Sequence, residues 1–128
     1  MKKTISTPDA VPPLPAFSQA VVSDGKVYCS GSVGCDKDFK LVPGGIKPQT
    51  VQRAALENLE KVLKAAGSGL EHIVKANCYV SNMQRDYVQM NEAYLEFFKT
   101  DPPARTCVGV VALPLGADVE IECIAEIP

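Results

Sequence analysis

Only two segments of this 128-residue chain carry a helical repeat, and that limits what can be built from the rest. Val51, Ala55, Leu59, Val62 and Ala66 recur at helical spacing, with Leu56 and Leu63 widening the stripe. This spacing predicts a helix over residues 50–66, stopped by Gly67, which can take the left-handed conformation past a helix end. Tyr87, Met90, Tyr94 and Phe98 form a second stripe, with Val88, Leu95 and Phe97 beside it. The second helix is expected over 85–99, ended by Pro102-Pro103. The remaining apolar segments read as strands: 4–6, 18–22, 26–32, 73–80, 105–113 and 118–127. Asp24-Gly25 between two of them predicts a tight hairpin. Pro8, Pro12, Pro13 and Pro15 exclude regular structure up to about Ala16. Residues 31–48, rich in Gly, Pro and charge, read as a loop with room for a short strand at 39–42.

The expected order is strand, strand, strand, helix, strand, helix, strand, strand. It describes a single α+β domain spanning residues 1–128, a mixed six-stranded sheet with two helices. Two helices cover only one face of such a sheet. Yet residues 107–113 are apolar at consecutive positions, so both faces of that strand want burial. The uncovered face calls for a partner, most simply a second copy of the chain, and a homo-oligomer is expected.

Composition narrows the function classes. Thirteen basic and fifteen acidic residues leave a net charge of −2, no footprint for a nucleic-acid backbone. The longest apolar run, residues 107–117, is 11 residues long and holds Pro114, against ~18 for a membrane span. No apolar stretch follows Met1-Lys2-Lys3-Thr4, so no secretory signal is read. Cys29, Cys35, Cys78, Cys107 and Cys123 are odd in number and form no CxxC pair. They read as reduced thiols, and a cytoplasmic protein is the expectation.

His72 is the only histidine, in a polar loop, so no His-based triad is expected. The cysteines and His72 have no zinc spacing, and Gly31-Ser32-Val33-Gly34 lacks the Gly-Lys-Ser/Thr of a phosphate loop. No metal or cofactor is expected. Two residues look misplaced instead. Arg105 opens an apolar run, and Glu120 sits inside Val119-Glu120-Ile121. A charge beside a buried strand needs a partner or a ligand. If the last two strands form a hairpin about 114–117, Cys107 lies opposite Glu120, with Arg105 on the Cys107 face. Two readings stay open: a structural Arg–Glu pair, or a site where the arginine fork holds a small carboxylate.

The residues Pro103-Ala104-Arg105-Thr106-Cys107-Val108-Gly109-Val110, Leu113-Pro114 and Val119-Glu120-Ile121-Glu122-Cys123-Ile124-Ala125 resemble the C-terminal signature of the RidA/YjgF family of reactive-intermediate deaminases. Phe17-Ser18-Gln19-Ala20, Tyr28-Cys29-Ser30-Gly31, residues 52–67, Ile73-Val74-Lys75 and Met90-Asn91-Glu92-Ala93-Tyr94 extend the resemblance over nearly the whole chain. It implies a chorismate-mutase-like fold and a homotrimer, with a central β-barrel, helices outside and active sites between subunits. It implies hydrolysis of 2-imino acids or their enamines, such as 2-iminobutanoate and 2-iminopropanoate, to 2-keto acids and ammonia, without a cofactor. Arg105 matches the residue that clamps the substrate carboxylate, and Glu120 the one that positions water. Cys107 matches a pocket-lining cysteine, and Ser30, Gly31 and Asn91 match positions near the pocket. Phe17 stands where the family commonly has Tyr, and Ser32 where it often has Gln. The resemblance also carries alternatives: an endoribonuclease acting as a translation inhibitor, or a non-catalytic ligand-binding or chaperone-like protein.

Overall fold

The computed structural model describes residues 1–46 and 51–128, with Val51 described in its backbone alone. Its strands are β1 (Lys3–Ile5), β2 (Ala20–Ser23), β3 (Lys26–Val33), β4 (Ile73–Val80), β5 (Ala104–Gly109) and β6 (Val119–Glu126). Helix α1 (Val51–Ala65) lies between β3 and β4, and α2 (Met83–Phe97) between β4 and β5. The element order is the one expected. The start of the first expected helix at Thr50 lies outside the described residues.

The local signals act as their chemistry requires. Asp24 and Gly25 both have positive φ, 50° and 73°, so the β2–β3 hairpin closes through a primed turn. Past α1, Gly67 at φ 82° lets its own N–H reach Lys64 O and that of Ser68 reach Leu63 O. That pair of bonds is the Schellman arrangement. Asn82 caps α2 by accepting from Arg85 N at 3.1 Å, which starts the helix at Met83, two residues before the expected start at Arg85.

The sheet order β1-β2-β3-β6-β4-β5 overturns one expectation. The last two strands form no hairpin. β5 pairs in parallel with β4, Ala76 facing Arg105 and Cys78 facing Cys107. β6 inserts between β3 and β4, antiparallel to both. A parallel pair needs a crossover, and α2 supplies one. β6 takes the centre because Val119, Ile121, Cys123 and Ala125 alternate strictly and are all buried there. The apolar run after Arg105 also stops being a strand at Gly109, and Val111 is fully exposed in the single chain. The strand expected at 39–42 shrinks to one bridge, Cys35 to Leu41.

Both helices pack on one face. Leu56, Leu59 and Leu63 of α1 and Met90 of α2 are buried against Val27, Cys78, Val80, Val119 and Ile121. Each such aliphatic side chain contributes about 1.5–3 kcal/mol by leaving water. The opposite face is open: Asn77, Tyr79, Glu120 and Glu122 are all half-buried on it.

Candidate active site

The expected site residues fall into two groups on opposite faces of the sheet. Arg105 and Cys107 share the helix-covered face with their register partners Ala76 and Cys78. The Arg105 guanidinium donates to Asn91 Oδ1 at 2.8 Å and lies 4.8 Å above the Tyr94 ring. Met90 Sδ is 3.7 Å from the same nitrogen. A hydrogen bond and a cation–π contact therefore aim the cation. No carboxylate among the described residues forms an ion pair with Arg105. The structural Arg–Glu pair is thereby excluded within one chain. β4 stands between β5 and β6, so the two backbones are roughly 10 Å apart, and the side chains point to opposite faces.

Glu120 lies on the open face, flanked by Val33 and Tyr79. Burial, and then the neighbouring charge of Glu122, push its carboxyl above the usual carboxylate range. Glu122 itself accepts from the Tyr79 hydroxyl and from Asn77 Nδ2. Glu120 and Glu122 were legible as a pair, since residues two apart in a strand share a face, but Tyr79 and Asn77 came to them only through β4–β6 pairing.

A cleft of about 520 Å³ opens beside Glu120 and is lined by Phe17, Ser30, Gly31 and Glu120 among others. Four of the seven expected site residues thus meet here, while Asn91, Arg105 and Cys107 are not part of it. Strand β3 makes the floor. Its register slips by one residue between Cys29 and Ser32, a bulge that carries Ser30 and Gly31 past Glu122. A Cβ on Gly31 would lie 2.7 Å from both Cδ and Oε2 of Glu120, so only glycine leaves room for this carboxylate. Ser32, in the family's Gln position, turns to the helix face and donates to Ala55 O at 2.9 Å.

Gln19 builds the wall above. Its buried amide accepts from Thr7 N at 2.7 Å and donates to Thr7 O and Val11 O. One side chain thereby lashes the proline-rich segment to β2, and a turn from Phe17 N to Leu14 O sets Phe17 over the cleft. Reading the sequence did not identify Gln19 as structural. A polar residue amid 18–22 was the available signal.

Cys107 is held by burial above the ordinary thiol range, only partly offset by Arg105. Cys78 beside it is pushed up to about 12 for the same reason. Neither is a ready nucleophile, because the thiolate is the reactive form. All five cysteines are free thiols, and no cluster of metal-binding side chains exists among the described residues. None of the described helices is long and apolar enough to cross a membrane.

The molecule is thus an α+β sheet with Arg105 on the helix-covered face and a half-buried Glu120 in a cleft on the other. A family model described as "Endoribonuclease L-PSP" matches residues 7–127. The chain is 48% identical over 126 residues to RutC family protein UK114 of Drosophila melanogaster, covering 98% of this chain and 89% of that one. It is 40% identical to the 2-iminobutanoate/2-iminopropanoate deaminase of Rattus norvegicus, covering 98% and 90%. The crystal structure of yeast Mmf1 superposes with a TM-score of 0.93 at 34% identity, over 100% of both chains. The chain belongs to the L-PSP endoribonuclease family, the same family as RidA/YjgF.

Proposed function

We propose that this protein hydrolyses 2-imino acids, with their enamine tautomers, to 2-keto acids and ammonia. In this reading it works as a homotrimer whose sheets enclose a central barrel. Arg105 of one copy faces the Glu120 cleft of the next. One observation carries the reading: a guanidinium aimed by Asn91 and Tyr94 that has no carboxylate among the described residues. A cation so held suits the carboxylate of a small acid.

The chemistry asks little more. An imine carbon is electrophilic, and more so once its nitrogen is protonated. Glu120 as a carboxylate takes a proton from water as the oxygen adds to that carbon. That proton passes to nitrogen, the regenerated carboxylate takes the proton of the new hydroxyl, and the C–N bond breaks so that ammonia leaves as the C=O forms. A glutamate whose pKa is raised by burial is suited to both halves of this transfer. Glu122, anchored by Tyr79 and Asn77, keeps negative charge nearby and so favours the protonated, electrophilic imine. The deaminase names of the rat and mouse relatives support the same activity.

The family model's endoribonuclease name points to a second activity. The cleft offers it little, since no lysine or arginine lines it and two glutamates do. A phosphate backbone would meet repulsion there, and salt-sensitive RNA binding is the observation that would restore that reading.

The test is a coupled trapping assay. Threonine dehydratase generates 2-aminocrotonate, semicarbazide traps the imine, and absorbance follows the semicarbazone. The protein is expected to suppress the trapped product, and Arg105→Ala to lose that effect. If wild type leaves trapping unchanged, the hydrolase reading fails. Light scattering tests the assembly: a mass near 13.7 kDa at micromolar protein would exclude the shared site.

A further inference from the structure

The cleft beside Glu120 is larger and greasier than a three- or four-carbon imino acid requires. Its 520 Å³ falls among pockets that enclose drug-sized ligands, ~300–1,000 Å³. Glu120, Glu122 and Ser30 give it polar groups beside Gly31, with Gln19, Ser32 and Asn58 also in its lining. The same cleft is lined by Leu14, Phe17, Phe39 and Leu115, four large apolar side chains each at least 38% exposed.

Two of these four are held there against backbone preference. Among the described residues only four other than glycine have positive φ. Asp24 and Asp101 are types that tolerate it. The two bulky ones are Phe39 at φ 60° and Leu115 at φ 61°, and both line this cleft. Neither conformation is slack. Asp36 Oδ1 accepts from Asp38 N and Lys40 N, Asp36 O accepts from Phe39 N, and Asn58 of α1 donates to Cys35 O at 3.1 Å. Around Leu115, Gly116 N reaches Leu113 O and Ala117 N reaches Pro114 O, each at 3.1 Å. Strained positions that the surroundings over-determine concentrate at ligand clamps.

We infer that Phe39 and Leu115, with Phe17 and Leu14, form an apolar clamp that selects 2-imino acids bearing a large apolar side chain, leucine- or phenylalanine-like, over alanine-like ones. The inference rests on the imine-hydrolase reading. The carboxylate and imine lie beside Glu120, and the side chain packs on these four apolar groups and displaces water from them.

The test compares two imines made in situ by L-amino acid oxidase with catalase present, one from phenylalanine and one from alanine, each trapped by semicarbazide. Wild type is expected to show kcat/KM at least about tenfold higher for the phenylalanine-derived imine, the scale on which apolar pockets discriminate. Phe39→Gly and Leu115→Gly remove the side chain and relieve the positive φ, so both should fold. Each is expected to cut the phenylalanine-to-alanine ratio by about tenfold. A wild-type ratio near one, or variants that keep the wild-type ratio, overturns the clamp and leaves the hydrolase reading standing. Failure to turn over either imine overturns both. A fall in assembly mass on either substitution overturns the clamp too, because the residues would then cover a contact with a second copy.

Discussion

The Arg105 corner and the Glu120 cleft are opposite solutions to holding a charge at a sheet. Arg105 sits on an edge strand on the helix-covered face, beside Asn91 and over Tyr94. It forms no ion pair with a carboxylate among the described residues. Glu120 sits on a central strand on the open face, accommodated only because β3 bulges and Gly31 has no side chain. Its carboxyl is raised toward protonation by burial and then by Glu122. A cation with no carboxylate partner among the described residues and a carboxylate crowded by its own chain are complementary, and the sheet lies between them. Under the proposed function these are the two halves of a site that one chain does not close.

The largest effect should come from separating these halves. Arg105→Ala and Glu120→Gln should each lower kcat/KM by about 10²–10⁴-fold, the range for losing a catalytic acid–base group or its equivalent. The comparison sharpens when the two variants are unfolded and refolded together. If Arg105 of one copy serves the Glu120 of the next, random reassembly regenerates intact sites, about a quarter of the wild-type number for a cyclic trimer. A mixture as inactive as its parents would place both residues in one chain's site.

Gly31→Ala is next. The new methyl would collide with the Glu120 carboxylate, the movable end of a flexible side chain. Displacement rather than unfolding is expected: activity falls about 10–100-fold while stability changes by under about 1 kcal/mol. A melting curve beside the kinetic assay separates the two. Loss of fold would show that the bulge, not the carboxylate, needs this glycine.

A smaller effect is a shift in pH dependence. The acidic limb of kcat/KM should lie above the ordinary glutamate range, since Glu120 works as a carboxylate and its pKa is raised. Glu122→Gln removes the like charge but not the burial, so the limb should move to lower pH. An unmoved limb would mean that Glu120 is not the group titrating. Stability has the matching sign. A carboxyl with a raised folded pKa contributes stability present below its unfolded pKa and lost as pH rises through the folded value. Glu120→Gln escapes that loss and should melt higher than wild type at neutral pH.

The smallest effect belongs to Cys107→Ala. With the thiol kept protonated by burial, the side chain is packing, and kcat/KM should change by less than about fivefold. Complete loss would make it a nucleophile.

Sequence periodicity alone determined much of this protein. The two helices, the Asp24-Gly25 turn, the Gly67 stop and the order of elements are short-range effects, set by spacing along one chain segment and by the φ a glycine permits. Arg105 and Glu120 were legible for a related reason: a charge in an apolar run costs free energy wherever the strand goes. What pattern could not decide was which strand lies beside which. The short turn at 114–117 suits a hairpin as well as a longer return, and the hairpin would have joined Arg105 to Glu120. Pairing is settled by the whole sheet, where β6 gains two neighbours and buries every second residue under both helices. That long-range choice put the arginine and the glutamate on opposite faces. It also brought Phe17, Phe39 and Leu115, far apart in sequence, around one cleft, because only packing in three dimensions can hold bulky residues at positive φ against their local preference.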